Sequence, residues 1–189
     1  MKKESSALYF VGMTIAMLLW GVAWTAGKVA AHHSNAEVAA FWRYAISLAS
    51  IIPLIWFLKS PLRSNRRGMI YMISGGLLTS VFNYFFFAGL LHGQAGYGGT
   101  LVTSLSPIIT YAFSIALLGL CVSTKEIIAL TVGIIGALVL MRVPSEGWGF
   151  LDLDNIYFAA AALVWALVTI VSQKASKHTT PMLYTTVVF

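Results

Sequence analysis

Residues 16–33 read AMLLWGVAWTAGKVAAHH, and residues 161–178 read AALVWALVTIVSQKASKH. Both stretches are apolar around a Trp, then become basic and end at a His. At an offset of 145 positions, five residues are identical: Ala16, Leu18, Trp20, Ala30 and His33 fall on Ala161, Leu163, Trp165, Ala175 and His178. The meaning of this repeat depends on how many times the chain crosses a membrane between the two copies.

The composition predicts a protein whose solvent is lipid. Of the 189 residues, 59% are hydrophobic and only 10% are charged, whereas about a quarter of a soluble domain is charged. The net charge is +6, but the basic residues lie between apolar runs rather than along one face, which argues against a nucleic-acid partner. The single cysteine, Cys121, provides neither a disulfide nor a paired-cysteine metal site within this chain.

The apolar runs predict an all-α polytopic membrane protein. A helix needs about 20 residues to cross a hydrocarbon core of about 30 Å. The predicted spans are Leu8–Ala31, Ala36–Leu58, Met69–Leu91, Gly98–Val122, Glu126–Met141 and Ile156–Ser172, and a seventh begins at residues 181–189. The first run is longer than the apolar part of a signal peptide, so we predict that it stays uncleaved. Every span is predicted to be helical because lipid cannot pair with free backbone groups.

Basic residues mark every second connection between the predicted spans. These residues are Lys2, Lys3, Lys59, Arg63, Arg66, Arg67, Lys125, Lys174 and Lys177. The connections HHSNAE (32–37) and HGQAGY (92–97) contain no Lys or Arg, and residues 142–155 contain Arg142 beside three acids. The positive-inside rule therefore predicts a cytoplasmic N-terminus.

The repeat can now be interpreted. The helix of Trp165 follows the helix of Trp20 by five crossings, and an odd number makes the second copy enter the bilayer from the opposite side. Inverted repeats of this kind are typical of secondary transporters, in which two halves enclose the substrate path and rock to give alternating access.

Several stretches resemble the EamA-type half of the drug/metabolite transporter superfamily. They are LLWGVAWTAGKVA (18–30), FWRYAISLASIIPL (41–54) with Arg43 at a position where the family often has Arg, the aromatic and Gly-rich spans three to five, and ALVWALVTIVSQK (162–174). The resemblance implies ten helices in two inverted halves, with residues 1–143 as the first repeat and 150–189 as the start of the second. It further implies a transporter, with no enzymatic activity and no cofactor, that exports or exchanges amino acids, related metabolites or drugs across the bacterial inner membrane.

Two features depart from the resemblance. Many family members have a Glu shortly after span four, where this chain has Gly119, Leu120 and Cys121, and Glu126 is the nearest acid. Ten helices also need roughly 300 residues at about 20 per span plus short connections, so we expect a C-terminally truncated copy. The alternative function is then a non-transporting membrane remnant or an assembly subunit, and the oligomeric state is left open.

Candidate substrate-path residues in the first two spans are aromatic or basic. Trp20, Trp24 and Lys28 are spaced four apart and share one helix face, while Arg43 lies about 10 Å from the end of span two at 1.5 Å per residue. The alternatives are an interfacial position for Trp24, snorkelling for Lys28 and a structural ion pair for Arg43. Glu37 is a possible partner of either cation.

Spans three, four and six add polar and aromatic candidates. Asn83 falls near the middle of span three, where a carboxamide needs a partner or a ligand. Thr103, Pro107, Thr110 and Ser114 form one stripe of span four beside Tyr111, and either line a cavity or pack against a helix. Trp165 is expected to face Trp20. Gly89 and Gly93 are expected to allow close helix packing, and GQAGYGG (93–99) is predicted to be a flexible connection.

Overall fold

A computed structural model of the protein describes residues 3–59, 61–118, 123–140 and 156–189. The helices are α1 (Lys3–His33), α2 (Ala36–Leu58), α3 (Arg66–His92), α4 (Ala95–Leu118), α5 (Thr124–Leu140), α6 (Ile156–Ala175) and α7 (Pro181–Val188). Within these ranges the only β-type pairing is an isolated bridge between Ser64 and Thr179. The prediction of an all-α fold is therefore confirmed.

Five helices, α1 to α4 and α6, are long and apolar enough to cross a membrane. The described part of α5 has 17 residues and is shorter than these five. Large apolar side chains such as Trp56 and Phe57 are exposed on the outside of the bundle, as expected where the solvent is lipid. The predicted span ends at Val122 and Met141, together with Cys121 and the connection 142–155, lie outside the described residues.

Helix α6 forms the core of the bundle with α3 and α4. The buried face of α3 repeats at alternating intervals of four and three residues, through Gly68, Met72, Gly75, Thr79, Phe82, Phe86 and Gly89. This interval matches the seam of helices that pack with a small crossing angle. The seam glycines allow α6 and α7 to approach α3 closely, because a Cβ atom on Gly89 would lie 2.6 Å from Cε1 of Phe158.

The prediction of a flexible connection through residues 93–99 is wrong, because α4 already begins at Ala95. Gly98 lies inside the first turns of α4 and is buried against Phe158, where an added Cβ atom would lie 2.5 Å from the ring. Glycine is present at this position because the ring of Phe158 occupies the space of a side chain. Gly98 therefore serves packing rather than flexibility.

The connections 59–65 and 176–180 meet at one end of the bundle. The backbone N–H of Asn65 donates to the carbonyl of His178 (3.2 Å), and that of Thr180 donates to the carbonyl of Arg63 (3.0 Å). Lys59, Arg63 and Lys177 lie on these connections, and Arg66, Arg67 and Lys174 lie on the adjoining helix turns. We call this the basic end of the bundle.

The contacts at the opposite end fix the direction of α6. His92, which ends α3, stacks on Tyr157 at the start of α6 with ring centroids 5.6 Å apart. Lys28, near the end of α1, donates from Nζ to the carbonyl of Gly93 over 2.6 Å. Helix α1 therefore ends where α6 begins, and the two helices run antiparallel.

Candidate functional site

The two repeated tryptophans lie next to each other between the antiparallel helices α1 and α6. The ring centroids of Trp20 and Trp165 are 6.3 Å apart, and the ring centroid of Phe82 of α3 is 4.7 Å from that of Trp165. Each Trp lies near the middle of its helix. This geometry brings an aromatic wall to the centre of the bundle.

A cleft of about 550 Å³ extends from these tryptophans between α1, α4 and α6. It is lined by Trp20, Val102, Thr103, Ser106, Pro107, Thr110, Tyr111, Ser114, Trp165, Thr169 and Gln173. Five of the nine predicted path residues are among them: Trp20, Thr103, Pro107, Tyr111 and Trp165. Ser114 and Gln173 extend the cleft from the middle of the bundle toward the basic end.

Apart from the Tyr111 phenol, the hydroxyl and carboxamide groups of the cleft fall into two sets. Those of Thr103, Ser106 and Thr169 donate to backbone carbonyls of Gly99 (2.6 Å), Ala162 (3.2 Å) and Trp165 (2.9 Å). The side chains of Thr110, Ser114 and Gln173 have no hydrogen-bond partner among the described residues. These three groups can therefore bind a ligand without breaking a bond of the protein.

The polar stripe of α4 also provides a backbone carbonyl that lacks its usual hydrogen-bond donor in the helix. Pro107 has no N–H to donate to the carbonyl of Thr103, four residues earlier. Thr103 lines the cleft, and an unpaired carbonyl inside a membrane is stable only beside a cavity or a polar partner. None of the residues that line the cleft is a Lys, Arg, His, Asp or Glu.

Sequence reasoning missed Ser106, Thr169 and Gln173. A signal for two of them was present in the repeat, since Thr169 and Gln173 follow Trp165 at the same intervals at which Trp24 and Lys28 follow Trp20. The face of α1 that carries Trp24 and Lys28 therefore corresponds to a face of α6 that carries Thr169 and Gln173. Neutral polar side chains on α6 take the places of the indole and the cation on α1.

Trp24 and Lys28 are not lining residues of this cleft. Trp24 is 6% exposed and packs on Phe86 (4.8 Å) and Phe158 (6.0 Å), so its indole lies between helices rather than on the outside of the bundle. Lys28 bonds to the carbonyl of Gly93, which ties the end of α1 to the connection between α3 and α4. Both side chains hold α1 against α3 in this structure.

Arg43 and Asn83 also lie away from the cleft. The Cζ atom of Arg43 is 5.0 Å from the centre of the Phe86 ring, and neither Arg43 nor Lys28 forms the predicted ion pair with Glu37 within the described part of the chain. Asn83 is buried, and its Nδ2 donates to the Tyr44 hydroxyl over 2.5 Å. Their predicted roles in substrate binding remain predictions.

Glu126, the first acid after span four, bonds α5 to α4. Its Oε2 accepts from the Tyr111 hydroxyl (2.7 Å) and from the backbone N–H of Ser123 (2.9 Å). Tyr111 also lines the cleft, so this carboxylate fixes the orientation of a cleft residue. The nearest acid to the position where many family members have Glu is thus paired with a phenol of the preceding helix.

Among the described residues, no group of three or more His, Cys, Asp or Glu side chains is placed to hold a metal ion. The sequence pattern of the EamA-like transporter family matches residues 7–142, which include α1 to α5. No curated protein and no solved structure matches the chain.

Proposed function

We propose a function from the premise that the chain belongs to the EamA-like transporter family, a family of membrane transporters for small molecules. The protein carries amino acids, related metabolites or drugs through the cleft between α1, α4 and α6. It works by alternating access as an exporter in the bacterial inner membrane, with its N-terminus in the cytoplasm. Residues 1–143 form one five-helix repeat, and residues 150–189 begin its inverted counterpart.

The observation that carries this proposal is the antiparallel pairing of the two repeated helices. Trp20 and Trp165 occupy equivalent positions in the two copies, and their rings lie 6.3 Å apart on the wall of the cleft. An inverted repeat places its symmetry axis in the plane of the membrane and its substrate site near that axis. Equivalent residues that meet at the middle of the bundle are consistent with such an axis.

The lining of the cleft supports a substrate class. Two indole rings offer apolar surface and an N–H group each, while Thr110, Ser114 and Gln173 offer hydrogen bonds. Since no ionisable acid or base other than the Tyr111 phenol lines the cleft, a substrate with a large net charge would be poorly compensated there. The expected substrates are therefore amphipathic and have little or no net charge.

Transport in proteoliposomes tests the cleft. We expect a panel of radiolabelled amino acids and fluorescent drugs to contain a compound that the purified full chain transports. Trp165→Leu and Thr110→Val should each lower that rate about tenfold, the effect of losing about 1.4 kcal/mol of binding. The controls Trp56→Leu and Thr131→Val change the same residue types on lipid-facing surfaces and should stay within about twofold of wild type.

Two results would contradict the proposal. If the folded protein moves no compound faster than protein-free liposomes, the transport function is wrong. If the cleft variants and the lipid-facing controls lose the same fraction of activity, transport does not use this cleft.

The orientation has a separate test. Reporter fusions after Leu62 and Lys177, both at the basic end, should be active only as cytoplasmic reporters, because Lys and Arg are retained on that side. Fusions after Ser34 and Gln94 should report the other compartment. A fusion after Leu62 in the same compartment as one after Gln94 would overturn the inverted arrangement.

A further inference from the structure

The connections between α2 and α3 and between α6 and α7 form a clamp at the basic end, which we define as residues 61–65 and 176–180. Besides the two backbone bonds described above, the Thr179 hydroxyl donates to the carbonyl of Arg63 (3.3 Å), and the Thr180 Oγ1 accepts from the N–H of Arg63 (3.4 Å). Ser64 and Thr179 form the isolated bridge. The clamp joins segments that are more than 110 positions apart in the sequence.

One side-chain bond of the clamp depends on a protonation state. Asn65 caps α3, because its Oδ1 accepts from the backbone N–H of Gly68 (2.9 Å). That bond fixes the orientation of the carboxamide, so the atom 3.2 Å from His178 Nδ1 is the Asn65 nitrogen. A carboxamide nitrogen only donates, so Nδ1 of His178 must be an unprotonated acceptor. A protonated imidazole has an N–H on both nitrogens and cannot make this bond.

Among the described residues, the bond to Asn65 is the only hydrogen bond of the His178 ring. Its ring stacks on Tyr71 of α3, with centroids 5.8 Å apart. The other titratable or charged residues on the elements packed around it are Arg63, Arg66, Arg67, Lys174, Lys177 and Tyr184. Two acids lie on helices that begin at this end, Glu4 in the first turn of α1 and Glu126 in α5, and Glu126 is bonded to Tyr111 and Ser123. A positive charge on His178 therefore places an Nδ1–H against the Asn65 N–H, at an end of the bundle where most charged residues are basic.

We propose that Asn65 and His178 are positioning residues for transport, which hold α6 to α3 through a proton-sensitive clamp. With His178 neutral the Asn65–His178 bond forms, and protonation removes it. The clamp is then held only by its backbone and Thr bonds, so its open fraction rises. Histidine is the side chain that changes charge between about pH 5 and 8. Because α6 carries Trp165 and Gln173 into the cleft, opening of the clamp changes the cleft. This last step rests on the proposed transport function, whereas the opening itself does not.

Spin-label distances measure the opening directly. Labels on Leu62→Cys and Ser176→Cys, in a Cys121→Ser background, report the separation of the two connections. At about pH 8 we expect one short distance, and at about pH 5 a second, longer one, with the open-to-closed ratio raised about tenfold. In His178→Gln the short distance should persist at both pH values, because the new side chain has a carbonyl oxygen that accepts from Asn65 without titrating.

Two further variants separate the clamp from general effects of pH. Asn65→Asp keeps an acceptor for the Gly68 N–H and places a carboxylate against His178, which protonated imidazole can donate to, so the clamp should stay closed at about pH 5. His33→Gln removes the repeat counterpart of His178, whose Nδ1 contacts the Val29 carbonyl of its own helix over 2.8 Å, and should leave the opening unchanged. A wild-type distance that does not change with pH, or an equal change in His178→Gln, would overturn the proposal.

Transport provides the second measurement. For a compound that the wild type moves, the ratio of rates at about pH 5 and about pH 8 should differ from one, and His178→Gln and Asn65→Asp should flatten it. A pH-dependent distance in a protein that transports nothing supports the clamp and contradicts the transport function. Transport with a distance that does not respond to pH contradicts the clamp alone.

Discussion

Replacing Phe158 with Ala should destabilise the bundle by about 2 kcal/mol. Phe158 is fully buried at 0% exposure, and its ring lies in a space that two glycines leave open on neighbouring helices. A Cβ atom would lie 2.6 Å from this ring on Gly89 of α3 and 2.5 Å from it on Gly98 of α4. The variant would therefore leave a cavity where α3, α4 and α6 meet.

The magnitude follows from what the ring gains on folding. In a soluble core, Phe→Ala costs about 3–5 kcal/mol, of which about 1.5–3 kcal/mol is transfer of the side chain out of water. A separated helix in a bilayer keeps this ring in lipid, so the transfer part is absent and the packing part remains. The difference leaves about 2 kcal/mol.

Unfolding of the purified protein by SDS in mixed micelles, followed by Trp fluorescence, measures this loss. Phe57→Ala is the matched control, because Phe57 is 80% exposed on α2, and its effect should stay below about 0.5 kcal/mol. The double variant Phe158→Ala, Gly98→Ala should recover part of the stability, since the new methyl group fills some of the vacated space. Equal losses in Phe158→Ala and Phe57→Ala would refute the packing argument.

Two other contacts lead to measurable stability changes in the same assay. Lys28→Met should cost about 1.5–3 kcal/mol through loss of the charged bond to Gly93, whereas Lys59→Met at the exposed basic end should cost less than about 0.5 kcal/mol; equal costs would contradict the bond. In a double-mutant cycle of Arg43→Gln with Phe86→Leu, we expect a coupling free energy of about 0.5–2 kcal/mol from the cation–π contact, and additive losses would show that the contact contributes nothing.

The helices were predictable because each consists of an apolar run bounded by polar residues. The predicted start of α2 at Ala36 and of α6 at Ile156 coincides with the structure. The start of α4 was not predictable in this way, because a run of glycines, considered without its neighbours in space, is typical of a flexible connection. Only the position of Phe158 on another helix explains why Gly98 belongs inside α4.

The residues of α4 that line the cleft were largely predictable from the sequence, whereas Thr169 and Gln173 of α6 were not predicted. Thr103 and Pro107 share a face by spacing alone, so the stripe could be read without knowing its neighbours. Polarity inside a span was a weaker guide, because Asn83 meets part of its hydrogen-bonding need at Tyr44 and Arg43 lies on an aromatic ring. A polar residue in a membrane indicates a partner, and sequence alone does not tell whether that partner is a ligand or another side chain.

The repeated residues show which properties of a helix depend on its own sequence and which depend on the helices packed around it. Ala16 and Ala30 of α1 are exposed, whereas their equivalents Ala161 and Ala175 of α6 are fully buried. The identical residues cannot cause this difference, which arises because α6 packs between α3 and α4 while α1 contacts them along one side. What the two copies share is the position of the central Trp along each helix, and antiparallel packing in register brings Trp20 to Trp165. The repeat thus specifies direction and register, and burial is set by the helices that surround each copy.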